Sequence, residues 1–135
     1  MKVAVGDMNK SQAANCPFCS VEVEKTMVSE FAFVIRDSYP VSINHSLVIP
    51  KRHVKSIFDL GAAEQAEIWR MVAEVRNELI SLGADAVNIG VNDGAKAGQT
   101  IDHAHVHVIP RYNGDAEDPR GGVRWVLPTK AAYWI

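Results

Sequence analysis

Little in this sequence is extreme, and each shortage removes a class of protein. Cysteine is scarce, two residues in 135, so no disulfide framework substitutes for a core, and a chain this long can bury one unaided. Net charge is small, formally −2. That excludes a broad cationic footprint for nucleic acid or an anionic membrane, while leaving room for a small basic pocket. No apolar run approaches the ~20 residues of a membrane span, and Met1 to Ala14 lacks the apolar stretch of a secretory signal. A cytoplasmic protein is expected. There is no internal repeat and no low-complexity segment. What remains, 47% hydrophobic and 22% charged, is the composition of one globular domain over residues 1–135.

Patterning gives the elements. Residues 1–15 are polar and read as a loosely held arm. Cys16-Pro17-Phe18-Cys19 is a tight turn, and Glu22 to Met27 is compatible with a short strand. Phe31 to Ile35 and Ser46 to Ile49 read as strands, the second ended by Pro50. A short helical stretch falls near Ser56 to Leu60. The clearest helix runs from Ala62 to Leu82, because Ile68, Met71, Val72, Val75 and Leu79 recur at spacings of three and four. Gly83 is placed to cap it in a left-handed conformation. Strands follow at Ala86 to Val91 and His103 to Ile109, with a glycine-bearing loop from Asn92 to Gln99 between them. Residues 112–135 form an extension that begins with a long surface loop, Asn113 to Gly122, and ends rich in aromatics. The fold class predicted is α+β: an antiparallel sheet of about five strands with one long helix on it.

Three of the five histidines, His103, His105 and His107, alternate along a predicted strand, so their imidazoles share one face. Ala104, Val106 and Val108 then face the core. Three adjacent charged imidazoles repel one another. Neutral ones, tied by hydrogen bonds to each other or to carbonyls, have a fixed unprotonated nitrogen. Such a nitrogen is a nucleophile at neutral pH, and phosphorus is a natural target. Spacing does not say which histidine attacks, and two histidines at strand spacing also suit a metal pair. Cys16 and Cys19, three apart in a reducing compartment, read as metal-binding or redox-active before they read as a disulfide.

The run His103-Ala104-His105-Val106-His107-Val108-Ile109 resembles the signature of the histidine triad superfamily. Gly98-Gln99-Thr100 precedes it as in that family, and Asn92 opens the preceding loop. Asn44-His45-Ser46-Leu47-Val48-Ile49-Pro50 resembles the family's first-half strand, and Asp37 lies where ribose is commonly contacted. The resemblance covers Phe31 to Pro110. It implies that His105 is the nucleophile toward an α-phosphorus. His107 would contact phosphate or help the leaving group, with support from His45. Asn92, Gln99 and backbone near Thr100 would hold phosphate oxygens, and Asp37 the ribose. Phe33 or Ile49 would line a base pocket. On residue type alone, Asn92 reads equally as a turn with Asp93-Gly94, Gln99 as a loop residue and Asp37 as a turn cap.

The third triad position is histidine, whereas the uridylyltransferase and phosphorylase branches carry glutamine. That favours hydrolysis of a dinucleoside polyphosphate, with a nucleoside phosphoramidate as the alternative. A nucleotide-binding or zinc-binding regulatory module with little turnover is the reading from another class. Some zinc-containing members pair a Cys-x-x-Cys with two such histidines, so the resemblance implies a structural zinc on Cys16, Cys19, His53 and His103. It implies no organic cofactor, and it implies a homodimer with the sheet continued across the interface. Asp118 to Trp125, with two arginines, is a candidate for selecting the leaving group.

Overall fold

The computed structural model describes residues 15–20 and 22–135. The expected N-terminal arm lies, except for Asn15, outside the described residues. The sheet has five strands: β1 (Met27–Val28), β2 (Ala32–Arg36), β3 (Ser46–Pro50), β4 (Ala86–Gly90) and β5 (Val106–Arg111). Their order is β1-β2-β3-β5-β4, every pairing antiparallel. One long helix, α1 (Ala62–Ser81), covers one face, and a one-turn helix, α2 (Pro128–Ala131), lies near the C-terminus. No helix among the described residues is long and apolar enough to cross a membrane.

The helix forms where its stripe predicts. Ile68, Met71, Val72, Val75 and Leu79 are all buried, and each such burial contributes about 1.5–3 kcal/mol. At its start the Gly61 N–H donates to Glu64 Oε1 at 3.0 Å. At its end Gly83 has φ +110°, a conformation glycine adopts without a Cβ clash.

Alternation divides β2, β3 and β5 between two cores. Ala32, Val34, Val48, Val106 and Val108 pack under α1. Phe33, Ile35, Leu47 and Ile49 face the other way and meet Cys16 and Phe18 of the N-terminal turn. Leu47 is the register partner of His107, so the second face is the histidine face.

Three expected boundaries shift by more than one residue. β1 is two residues long rather than spanning Glu22 to Met27. β5 begins at Val106, not His103, because the Ala104 N–H donates to Val54 O at 2.7 Å instead of entering the ladder. β5 also passes through Pro110 rather than stopping there. Its β3 pairing ends at Val108, so no ladder donor is required of Pro110 on that side, and its carbonyl accepts from Ser42 Oγ at 2.7 Å.

Candidate active site and metal centre

The histidines are organised by groups whose hydrogen-bonding role is fixed. A backbone carbonyl only accepts, so His105 Nδ1, 2.9 Å from His103 O, carries the proton. Its Nε2 is left with a free lone pair. A backbone N–H only donates, and that of Val41 reaches His45 Nδ1 at 3.1 Å. His45 therefore holds its proton on Nε2, which lies 2.9 Å from His107 Nδ1. His107 Nδ1 accepts, leaving a proton on its Nε2. The chain Val41, His45, His107 thus ends in a donor, while His105 ends in an acceptor. Asn44, at φ +72°, makes the left-handed turn that delivers His45 to β3, a conformation asparagine tolerates better than most residues.

Burial favours the neutral form of His107 and of His45. His107 falls from its ordinary 6.5 to about 4, first through desolvation and then through His105 and His45. His45 is lowered by desolvation, opposed by Asp37. The Asp37 carboxylate lies 3.4 Å from His45 Nε2 and accepts the Tyr39 N–H at 2.9 Å.

Beside this relay sits a second cluster. Cys16 Sγ is 3.4 Å from His103 Nδ1, Cys19 Sγ is 3.6 Å from it and 3.3 Å from His53 Nδ1, and the two Nδ1 atoms are 3.0 Å apart. Zinc bonds of ~2.05 Å to nitrogen and ~2.3 Å to sulfur set tetrahedron edges of roughly 3.3 Å (N–N) and 3.6 Å (N–S). The donors fit that figure. His103 Nε2 donates to Pro50 O at 2.8 Å, which turns its Nδ1 lone pair toward the cluster, as a carbonyl behind a metal-binding histidine does. Without an ion, burial and Cys16 raise the Cys19 thiol to about 11, and burial lowers His103 to about 4. Thus His103 is the neutral form a cation needs, and Cys19 would have to lose its proton on binding. The donor atoms of Asp37, His45 and His107 also approach within 4.8 Å, but the hydrogen-bond relay accounts for that grouping.

The expected site residues do not all converge. Cys16, Cys19, His53 and His103 form one cluster and Asp37, His45 and His107 another. His105 stands between them, its ring 5.1 Å from that of His107. Asn92 lines a cavity of about 640 Å³ together with His107. Gln99 is tied to backbone on both sides of its amide: Oε1 accepts from Gly94 N–H, and Nε2 donates to Lys55 O and Ile101 O. It braces the loop, and Thr100 is exposed beside it. Phe33 and Ile49 are buried in the second core. A smaller cavity of about 340 Å³ is lined instead by Phe18, Ile35 and Ser38. Arg120 and Arg124 do not line the larger cavity. Arg120 pairs with Asp118, and Arg124 donates to Ala131 O and Lys130 O. Phe18 was missed by sequence reasoning. Its ring meets those of His103 and His105 edge-on, at 5.7 and 5.1 Å. Its place between two cysteines that fold onto the histidine strand was the available signal.

A five-stranded antiparallel sheet with one covering helix and alternating imidazoles on its open face defines a histidine-triad domain. The family model described as the HIT domain matches residues 21–114, and the chain belongs to that family. Among relatives, it is 33% identical over 117 residues to an adenylylsulfatase of Arabidopsis thaliana, covering 82% of this chain and 59% of that protein. It is 42% identical over 77 residues to an asymmetrical bis(5'-nucleosyl)-tetraphosphatase of Schizosaccharomyces pombe, covering 56% of this chain and 42% of that one. The chain thus spans less than two thirds of either relative. A zinc-bound histidine triad family protein from Mycobacterium smegmatis superposes with a TM-score of 0.71 at 32% identity, covering 78% of this chain and 81% of that one.

Proposed function

We propose that this protein is a hydrolase that cleaves a phosphoanhydride of a dinucleoside polyphosphate through a nucleotidyl-histidine. The observation that carries the reading is the bond from His105 Nδ1 to His103 O, which leaves Nε2 free to attack. In the first step the His105 Nε2–P bond forms and the bond from α-phosphorus to the bridging oxygen breaks. The departing phosphate oxygen leaves as part of the ionised polyphosphate and accepts a hydrogen bond from the neutral His107 Nε2–H, which the His45 bond to its Nδ1 holds in place. Water then attacks the phosphorus, releasing the nucleoside monophosphate and restoring His105. Asn92, on the wall shared with His107, offers an amide to phosphate oxygens. Gln99 acts by holding the 94–101 loop, and Thr100 and its neighbours offer backbone N–H groups. Asp37 faces ribose, and the cavity of Phe18, Ile35 and Ser38 takes the base.

Cys16, Cys19, His53 and His103 hold a structural zinc in this reading. Four protein ligands leave it no open position, so it supplies rigidity and not Lewis-acid chemistry. A cytoplasmic setting keeps both thiols reduced. The names of the two enzymes above support phosphate-anhydride chemistry, and the zinc-bound structure supports the metal. A homodimer through the outer edge of β4, unpaired among the described residues, completes the proposal; sedimentation as a lone chain at micromolar concentration would remove that part.

The test is a panel of dinucleoside polyphosphates, a nucleoside phosphoramidate and adenylyl sulfate. The wild type should release nucleoside monophosphate fastest from a dinucleoside polyphosphate. His105→Ala should lose at least about a thousandfold in kcat while still binding AMP. Preference for the phosphoramidate would move the assignment to the alternative activity. Binding of AMP with no cleavage across the panel would leave a nucleotide-binding or zinc-binding module.

A further inference from the structure

The larger cavity has a feature that the histidine chemistry does not account for. Its floor is the histidine face of β4 and β5, through Asn88, Ile109 and Arg111 beside His107. Its outer wall, Asp118, Pro119, Val123 and Trp125, comes from residues beyond the family match at 21–114. The wall is fixed in place. Trp125 Nε1 donates to Arg120 O at 2.8 Å. The Arg124 guanidinium holds two carbonyls near the C-terminus and lies 4.7 Å from the Tyr133 ring. Gly122 has φ +41°, and a Cβ there would come 3.0 Å from Asn88 Nδ2. Glycine is what lets the segment close onto β4.

The lining chemistry is specific. The cation on the floor is already neutralised: Arg111 makes a bidentate pair with Asp115 and donates to Asn88 Oδ1. Asp118 is paired with Arg120. No free cation is available within the lining to a phosphate chain. Besides these ion-paired groups, Ser42 and His107, the lining offers an indole, aliphatic side chains, the Asn92 amide and the Asn88 amide, whose Oδ1 already accepts from Arg111. Those groups suit an uncharged planar heterocycle with hydrogen-bonding edges.

The position relative to the histidines gives the occupant its place in the reaction. Phe18, against the His105 ring, lines the smaller cavity. His107, whose Nε2 is the donor, lines the larger one. The group that leaves must depart toward the donor that accompanies it.

We propose that this cavity is the leaving-group subsite, and that it takes the second nucleoside of the substrate, its base stacked on Trp125. The assignment rests on the histidine reading above and adds to it a selectivity that residues 118–125 supply. It makes the protein prefer substrates with a nucleoside at both ends over those ending in bare phosphate.

Diadenosine tetraphosphate and adenosine 5'-tetraphosphate test this, because attack at the α-phosphorus yields AMP from either. The leaving group is ATP in one case and tripolyphosphate in the other. The readout is the ratio of kcat/KM for the two. The wild type should favour the dinucleotide. Trp125→Ala should lower the ratio about tenfold, the size of one lost base stack, and Trp125→Phe should restore most of it. Val123→Lys, at an exposed wall position, should lower the ratio without touching the tryptophan's hydrogen bond. A ratio within twofold of wild type in both Trp125→Ala and Val123→Lys would overturn the subsite while leaving the histidine reading intact. Release of AMP from neither substrate by the wild type would overturn both.

Discussion

His105 and His107 are two residues apart and have opposite jobs because different nitrogens are tied down. A carbonyl takes the proton of one, and a neighbouring imidazole takes the lone pair of the other. The relay requires neutral rings, which gives a pH dependence. His107 faces His105, His45 and Asp37, and its folded value of about 4 lies below its ordinary 6.5. Between those values the unfolded chain binds a proton that the native ring refuses. Stability is therefore intact above 6.5, declines as pH falls through the window, and levels off below about 4. Thermal melts at pH 7 and 4.5 should show the wild type losing a few degrees more than His107→Asn; equal losses would contradict the assignment. The alternation of the histidines was legible in the sequence. The tautomers were not, since they depend on Val41 N–H and His103 O, which any residue type could supply. Gln99 shows the converse: a polar side chain expected at phosphate turns out to be occupied by backbone.

At the scale of elements, α1 was legible nearly to the residue because a stripe of period 3.6 has one interpretation. β5 was misjudged at its start. The pattern His-x-His-x-His continues strand alternation through His103, but the Ala104 N–H bonds Val54 O outside the ladder, and the His103 side chain meets the cysteine turn. That turn is a short element with two tasks. It presents Cys16 and Cys19 to His53 and His103, and it sets Phe18 against the His105 ring. Protein purified without chelators should hold one zinc per chain, and Cys16→Ser with Cys19→Ser should hold almost none. Chelation should lower the melting temperature, because metal that binds only the folded chain stabilises it. Native protein with no stoichiometric zinc, measured by elemental analysis, would contradict the metal assignment.

At the scale of the molecule, the sheet separates structure from chemistry. One face is closed by α1 and the larger apolar core. The other carries the histidines between two cavities, one on the Phe18 side and one on the His107 side. The family-matched region supplies the histidines, and the residues after it build the wall of the larger cavity. The sequence marked that stretch through its arginines, but its exposed tryptophan and its glycines matter more, because only folding shows which groups face inward. In the proposed reaction His105 becomes covalently nucleotidylated. Rapid acid-free quenching with a slowly hydrolysed dinucleoside polyphosphate, followed by peptide mass spectrometry, looks for that bond itself. One nucleoside monophosphate is expected on the peptide bearing residues 103–107, mapped to His105 and absent from His105→Ala. An adduct on His107, or turnover with no adduct under conditions that trap phosphohistidine, would contradict it.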